Sequence, residues 1–259
     1  MPINFHEQQN RMTYTTRIAD ESWLWMIKRR IDITGKVVAD IGCGGGIYTK
    51  ALVGLGAAHV TGVDFSTEML KGAAENCREL DNVTFVQGDA ANTGLPRDKF
   101  DIVLARALLH HLDKLDSCFK EAIRLLKHNG IFIVQDRTPQ DCLLPGDENH
   151  IRGYFFEKYP KLIDIEVTRR HAANKVQMAL TSNGFAILEE VQLWETRAVY
   201  DDFDALRQDL LHRTGRSILH ELTDHELHNL VAFIRSKLGD RSDPIVEKDS
   251  WTLWFARKC

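Results

Sequence analysis

The stretch Asp40-Ile41-Gly42-Cys43-Gly44-Gly45-Gly46 decides the fold. It ends an apolar, β-branched run at 36–41 and opens a segment of helical period at 47–55. Glycines lack a Cβ atom, so a ligand can approach the backbone closely where such a strand turns into a helix. The stretch therefore predicts a strand, a turn and a helix that hold a nucleotide-like ligand. A turn that only needs glycine for its backbone is the alternative.

The same alternation of strand and helix continues beyond this unit. Apolar runs predict further strands at 59–64, 83–87, 101–105 and 131–136, with later strands at 185–194 and 251–257 that we expect to pair antiparallel at the sheet edge. Helical periods predict helices at 67–80, with Ser66 as N-cap, and at 114–127, with Asp113 as cap. The predicted fold is α/β, a doubly wound, Rossmann-like, mostly parallel seven-stranded sheet with an antiparallel edge strand and helical lid insertions.

The chain is expected to form one domain over 1–259. Within it we expect an N-terminal helical cover at 1–35, a cofactor-binding core at 36–136, and lid insertions at 137–170 and 197–249. The first insertion holds three of the six prolines, and the second contains a Thr223-x-x-Glu226 capping box at the start of a helix.

Composition narrows the class of partner. The 259 residues carry a formal charge of −4, whereas proteins that bind nucleic acid or anionic lipid need a basic surface. We therefore expect a small-molecule partner and no nucleic acid. Five scattered cysteines indicate reduced thiols and no metal site. Because no segment resembles a leader or a membrane span, we expect a cytoplasmic location. We expect a monomer or a homodimer.

Two residues of the glycine-rich stretch discriminate between cofactors. A dinucleotide fingerprint requires glycine three residues after Gly44, where this chain has Ile47. Asp40 would repel a pyrophosphate, but it would attract the ammonium or sulfonium group of S-adenosylmethionine. The sequence thus favours S-adenosylmethionine over a nicotinamide dinucleotide.

Acidic residues after the next two strands fit an adenosine. Asp64, 24 residues after Asp40, can accept both ribose hydroxyls, and Phe65 offers an apolar face to a base. Asp89 and the Ala90 amide could bind the adenine amino group and a ring nitrogen. Helix capping at Asp64 and a turn at Gly88-Asp89 are the alternatives.

These motifs in this order resemble those of class I S-adenosylmethionine-dependent methyltransferases. They are DIGCGGG at 40–46, VDFS at 63–66, QGDA at 87–90, FDIVLARALLHHL at 100–112 and LLKHNGIFIVQD at 125–136. Within that family the chain is similar to the small-molecule branch called type 11, which includes ubiquinone and menaquinone biosynthesis methyltransferases. The likeness covers about two fifths of the chain.

The resemblance implies a set of cofactor-binding positions. They are Asp40, Gly42, Gly44 and Gly46 around the methionine portion, with Cys43 in the same turn; Asp64 at the ribose; Phe65, Asp89 and Ala90 at the adenine; Arg106 beside the cofactor; and Tyr14 and Arg17 closing over the methionine carboxylate.

Methyl transfer from a sulfonium is an in-line displacement, so the protein mainly aligns the acceptor and excludes water. When the acceptor must lose a proton, His110 or His111 is the candidate base, with packing as the alternative role. Several arginines of the two insertions could bind an acceptor carboxylate, although charged residues on such helices usually face solvent. They are Arg152, Arg169, Arg170, Arg197, Arg213 and Arg216.

Two other functions compete with methyl transfer. An NAD(P)-dependent oxidoreductase would share the fold and the ribose-binding carboxylate. A non-catalytic S-adenosylmethionine-binding module would keep the pocket without turnover.

Overall fold

The computed structural model describes residues 18–241 and 243–259. Strands of this part of the chain build one mixed sheet. They are β1 Val37–Ile41, β2 His59–Asp64, β3 Val83–Gln87, β4 Phe100–Arg106, β5 Leu126–Asp136, β6 Phe185–Tyr200 and β7 Ile245–Lys258. The sheet has seven strands in the order β3-β2-β1-β4-β5-β7-β6.

The five strands of the predicted core run parallel, and β7 reverses direction. Ile41 pairs with Val63 of β2 and Ala105 of β4, and the register between β4 and β5 aligns Arg106 with Gln135. β7 pairs antiparallel with β5. The predicted fold class, a mostly parallel doubly wound sheet with an antiparallel strand near its edge, is confirmed.

Helices alternate with these strands as expected. They are α1 Glu21–Arg30, α2 Ile47–Gly54, α3 Thr67–Asn76, α4 Leu115–Leu125, α5 Pro139–Cys142, α6 Gly153–Lys158, α7 Lys161–Thr168, α8 Ala173–Ser182, α9 Phe203–Leu211 and α10 Asp224–Leu238. Short 3-10 helices occupy Leu109–His111 and Ser217–Glu221. None of the helices that the structure describes has the length and apolarity needed to cross a bilayer.

Three predicted helix boundaries are wrong. Asp113 does not cap α4, because the N-cap residue is Lys114, whose backbone is extended and whose side chain makes no capping bond. The same helix ends at Leu125 rather than 127, since Leu126 is already extended and pairs with Phe100 as the start of β5. α3 ends at Asn76 rather than 80, where the chain enters a turn.

The predicted caps of two other helices are confirmed. The Ser66 hydroxyl accepts a hydrogen bond from the Met69 amide at the start of α3. At the start of α10, Thr223 and Glu226 form the reciprocal capping box.

The described chain divides into two compact units. The sheet unit contains 18–136, Ala172–Leu193 and Thr252–Cys259, and its core packs α4 and α8 on β1, β4 and β5. The helical unit contains Arg137–His171 and Trp194–Trp251. In the helical unit, Tyr154, Phe155 and Phe156 lie in a separate apolar core with α9 and α10, so these aromatics are packing residues.

Candidate functional site

The candidate site lies at the carboxyl ends of the parallel strands of the sheet unit. The strand order reverses between β1 and β4, because β2 and β3 lie on one side of β1 while β4 and β5 lie on the other. In open α/β sheets, ligands bind in the crevice outside the strand ends at this point of reversal. The motifs that end β1, β2 and β4 therefore converge where such a fold binds its ligand.

The glycine-rich turn after β1 is held by β2. The amides of Gly42 and Cys43 both donate to the carbonyl of Val63, at 2.8 and 3.0 Å. Gly44 has a φ of +51°, which favours glycine, and a Cβ added there would meet nothing within 4 Å. At Gly42, with φ +74°, an added Cβ would lie 3.0 Å from Leu108. The turn is thus packed at its first glycine and open at its second.

Asp64, at the end of β2, links the turn to the second motif. Its side chain is buried, and its two oxygens accept hydrogen bonds from the amides of Gly44 and Ser66, both at 2.9 Å. The amide of Gly88 donates to the Asp64 carbonyl at 3.1 Å, so the third motif is tied to the same residue. These bonds fix a carboxylate beside the open glycine.

Asp40 is a second buried carboxylate, on the penultimate residue of β1. The hydroxyl of Thr49 donates to it at 2.6 Å. Burial raises the pKa of Asp40 to about 6, and the negative charge of Asp64 contributes to the increase, while Thr49 and Arg106 oppose it. Two buried carboxylates in one site favour the binding of a cationic ligand, because its charge would reduce their mutual repulsion.

The end of β4 carries an aromatic and cationic stack. The Arg106 guanidinium lies 3.9 Å from the ring centre of Tyr48, and Trp23 meets the same ring edge to face at 4.8 Å. The indole N–H of Trp23 donates to the Gln135 side chain at 2.9 Å. Arg106 was predicted at this position, but Trp23 and Tyr48 were not identified as site residues. The contacts among these three residues could not be predicted, because the residues are far apart in the sequence.

The residues predicted at the adenine are accessible. Phe65 is 50% exposed, and Gln87 donates to its carbonyl at 3.1 Å. Asp89 is exposed, and its carboxylate accepts the Ala91 amide at 2.7 Å. The ring of Phe65 and the carboxylate of Asp89 are therefore both accessible to a ligand.

The paired histidines differ in their surroundings. The Nδ1 atom of His110 lies 3.0 and 3.1 Å from the two carboxylate oxygens of Asp136, and the His110 amide donates to the same carboxylate at 3.2 Å. A carboxylate only accepts, so Nδ1 carries a proton and Nε2 of the neutral ring is left as an acceptor. His111 stacks on the His110 ring at 4.0 Å. Asp136 thus orients the His110 imidazole, and it is a residue that was not identified from the sequence.

Tyr14 and Arg17 lie outside the described residues.

Residues 39–134 match the family described as Methyltransferase domain. The uncharacterized methyltransferase YcgJ of Bacillus subtilis strain 168 is 30% identical over 169 residues, which are 64% of this chain and 63% of YcgJ. A ubiquinone biosynthesis O-methyltransferase of Actinobacillus pleuropneumoniae is 37% identical over 118 residues, 42% of this chain and 50% of that protein. The chain thus spans less than two thirds of the length of either curated relative.

Among solved structures, phosphoethanolamine N-methyltransferase 2 of Haemonchus contortus, in complex with S-adenosyl-L-methionine, has the same fold. Its TM-score is 0.60 at 19% identity, and the match covers 99% of this chain and 60% of that one. Residues 39–134 match a methyltransferase domain, and the resemblance that the motifs predict, to methyltransferases that include those of ubiquinone biosynthesis, is confirmed.

Proposed function

We propose that this chain transfers a methyl group from S-adenosylmethionine to a small-molecule acceptor. The observation that carries the proposal is the Asp64 carboxylate, held by the Gly44 and Ser66 amides beside an open glycine turn at the switch point of the sheet. The methyltransferase domain at 39–134 supports it, as does the fold shared with a methyltransferase solved with S-adenosylmethionine.

The residues present fit this cofactor chemically. The Asp64 carboxylate is oriented by two backbone amides of the neighbouring turns, and carboxylate oxygens are suitable acceptors for ribose hydroxyls. Asp40, whose pKa is about 6, carries a negative charge at neutral pH and favours the ammonium and sulfonium groups. The same charge opposes a pyrophosphate, and Ile47 replaces the third glycine of a dinucleotide fingerprint. Nicotinamide chemistry is therefore the weaker proposal.

We assign the remaining predicted positions on the same basis. Phe65, Asp89 and the Ala90 amide would contact the adenine, and the guanidinium of Arg106 would lie near the methionine end of the cofactor because its charge acts on Asp40. The turn residues Gly42, Cys43, Gly44 and Gly46 would line the same end.

The cofactor supplies a methyl group on a positively charged sulfur, a leaving group that needs no further activation. The task of the protein is then to align the acceptor and, where the acceptor carries a proton, to remove it. Nε2 of His110 can accept that proton, because Nδ1 is held by Asp136. The Asp136 carboxylate would stabilise the imidazolium that results. His110 is thus the proposed base and Asp136 its positioning residue.

Calorimetric titration tests the proposal directly. The protein is titrated with S-adenosylmethionine, S-adenosylhomocysteine, NADH and NADPH under identical conditions. We expect saturable binding of the two sulfur ligands and none of the nicotinamides. Binding of the nicotinamides alone would overturn the proposal. Binding of the sulfur ligands without S-adenosylhomocysteine production in an acceptor screen would favour a non-catalytic binding module.

A further inference from the structure

The loop after β3, residues 88–95, carries two of the proposed contacts of the adenine. These contacts are the carboxylate of Asp89, which is exposed, and the backbone amide of Ala90. At the start of the loop, the Gly88 amide donates to the Asp64 carbonyl at 3.1 Å, so this end is joined to β2. The position of the two contacts also depends on what holds the far end of the loop.

A buried glutamate of α4 holds the far end of the 88–95 loop. The amide and the hydroxyl of Thr93 both donate to one oxygen of the Glu121 carboxylate, the amide at 2.9 Å. Thr93 is 1% exposed and Glu121 is 5% exposed, so these bonds are shielded from water, where hydrogen bonds are electrostatically stronger. One side chain of α4 therefore fixes the loop backbone shortly after the proposed adenine contacts.

Arg124, one turn further along α4, completes this attachment. Its Nε and one of its terminal nitrogens donate to the two oxygens of Glu121, both at 2.7 Å. The same terminal nitrogen donates to the Leu95 carbonyl at 2.8 Å, so the pair holds Leu95 as well as Thr93. Burial would raise the pKa of Glu121, but the hydrogen bonds from Arg124 and Thr93 outweigh it and hold that pKa below its usual range. Glu121 is therefore ionised at neutral pH.

The 88–95 loop packs closely against itself and against α4. A Cβ added to Gly88 would lie 2.7 Å from the Thr93 carbonyl oxygen, so a movement of Thr93 would displace the start of the loop. Burial raises the pKa of Cys118 to about 12, and the charges of Asp89 and Glu121 contribute to the increase. Cys118 precedes Glu121 by one helical turn, so Asp89 lies near the face of α4 that carries both residues.

The pair of Glu121 and Arg124 acts on the loop more than on the stability of the whole fold. A buried ion pair adds little stability, because the cost of removing both charges from water offsets most of their attraction. Within the described part of the chain, every side-chain hydrogen bond that the pair makes beyond α4 goes to the 88–95 loop. The main effect of the pair is therefore on the position of that loop.

We propose that Glu121 is a positioning residue for recognition of the cofactor base. Glu121 holds the 88–95 loop so that the Asp89 carboxylate accepts from the adenine amino group and the Ala90 amide donates to a ring nitrogen. Glu121 itself acts on the base through Thr93 and not by contact. The inference rests on the proposed function, because it takes S-adenosylmethionine as the ligand.

The test compares two ligands that differ only in the base, S-adenosylhomocysteine and S-inosylhomocysteine. Inosine has an oxygen in place of the adenine amino group and a proton on the neighbouring ring nitrogen, so its hydrogen-bonding pattern is reversed. In calorimetry of the full chain, we expect wild type to favour the adenosyl ligand by at least about a hundredfold. In Glu121→Gln, which removes the charge but keeps the size, we expect this ratio to fall about tenfold, or about 1.4 kcal/mol.

A second variant and a matched control accompany Glu121→Gln. Thr93→Val removes only the hydroxyl bond of the loop, and we expect a smaller fall of the ratio. This variant provides the test if Glu121→Gln does not fold. The control is Asp101→Asn, because Asp101 also accepts a backbone amide and a side-chain cation, from Val37 at 2.9 Å and Lys127 at 2.8 Å. These bonds lie at the amino ends of β1 and β4, so we expect the control to keep the wild-type ratio.

The ratio of the two affinities separates the possible outcomes. A fall in Glu121→Gln or Thr93→Val, with none in Asp101→Asn, supports the inference. No change in either loop variant, or an equal fall in the control, would overturn it. Wild type that binds both ligands equally would also overturn it and leave the proposed function in place. Wild type that binds neither ligand would remove the proposed function and this inference together.

Discussion

At the scale of single residues, Asp64 carries the cofactor proposal, and its substitution is the most direct probe. Asp64→Asn keeps an oxygen for one backbone amide but removes the charge and one acceptor. We expect S-adenosylhomocysteine affinity of the folded protein to fall by about 1 to 3 kcal/mol, measured by calorimetry. Denaturant titration should also show a lower free energy of unfolding, because one buried backbone amide loses its acceptor.

The matched control is Asp32→Asn. Asp32 also accepts a backbone amide two residues ahead, from Thr34 at 3.0 Å, but it lies on the surface away from the strand ends. Unchanged affinity in Asp64→Asn, or an equal loss in both variants, would contradict the ribose assignment.

Asp40 should make cofactor binding depend on pH. Its pKa of about 6 means that about one tenth of the molecules carry the ionised form near pH 5, so S-adenosylmethionine should bind about tenfold more weakly there than near pH 7. In Asp40→Asn this dependence should disappear, as followed by calorimetry at several pH values. A wild-type affinity that stays constant across that range would exclude Asp40 from cation binding.

The same pKa shift should change the stability of the fold in the opposite direction: a rise in pH strengthens cofactor binding but lowers the free energy of unfolding. The folded pKa of Asp40 is raised above its unfolded value of 3.8, so the folded state binds more protons between the two values. The free energy of unfolding should therefore fall as the pH rises from about 4 to about 6. Wild type should show this slope in denaturant titrations, and Asp40→Asn should lack that part of it.

His110 is the residue whose loss should affect turnover most. With an acceptor that must lose a proton, we expect His110→Gln to lower kcat at least about a hundredfold while cofactor affinity stays the same. The control is His128→Gln, an exposed histidine on β5. A kcat of His110→Gln within a few fold of wild type would assign the residue a packing role.

The site could be predicted only where its residues are close in sequence. Asp40 and the glycines form one continuous motif, and Asp64 follows a recognisable strand. The role of Asp136 could not be predicted, because this residue lies 26 positions from His110 and contacts it only through the alignment of β5 with β4. The contact of Trp23 with Tyr48 joins an N-terminal helix to α2 and has no local signature.

At the scale of elements, α10 provides a test of the capping box. Thr223 accepts the Glu226 amide, and Glu226 returns a bond to the Thr223 amide. Thr223→Ala should lower the free energy of unfolding by about 0.5 to 2 kcal/mol, because a helix N-terminal amide loses its acceptor. Urea denaturation followed by circular dichroism measures the change.

Ser236→Ala is the control for this helix. Its hydroxyl only donates to the Phe233 carbonyl within α10, so its removal should leave stability nearly unchanged. A larger loss from Ser236→Ala than from Thr223→Ala would contradict the capping argument.

Strands and most helices could be predicted because β-branched runs and helical periods are local signals. The start of α4 could not, because Asp113 and Lys114 both precede the apolar period and only the backbone decides which residue caps it. The burial of Arg152 and Arg170 could not be predicted from the sequence either. Both arginines are buried because they form ion pairs with Glu166, and the sequence pattern does not show which carboxylate an arginine will meet.

At the scale of the whole molecule, the two predicted insertions belong together. The ranges 137–170 and 197–249 nearly match the helical unit, Arg137–His171 and Trp194–Trp251. Loose patterning and clustered prolines predict the first insertion, and two amphipathic helices predict the second, but no local pattern indicates that the two would share one apolar core. Their role as lids stays a prediction.

The position of β7 in the sheet predicts how the chain responds to truncation. β7 lies between β5 and β6, and the Thr252, Trp254 and Phe255 region pairs with the end of β5. A chain that ends at Asp243 should be recovered mainly as aggregate, because β5 keeps an open apolar edge. A chain that lacks only Cys259 is the control, and a soluble yield equal to the control would contradict this expectation.

The late arrival of β7 also matters during synthesis on the ribosome. Strands β1 to β5 are complete by Asp136, yet the strand that covers β5 is translated only after more than a hundred further residues. At typical elongation rates of about 5 to 20 residues per second, the nascent sheet waits for several seconds with that edge uncovered. A chaperone that binds extended apolar segments would find its target there, and slower translation of the helical unit would lengthen the exposure.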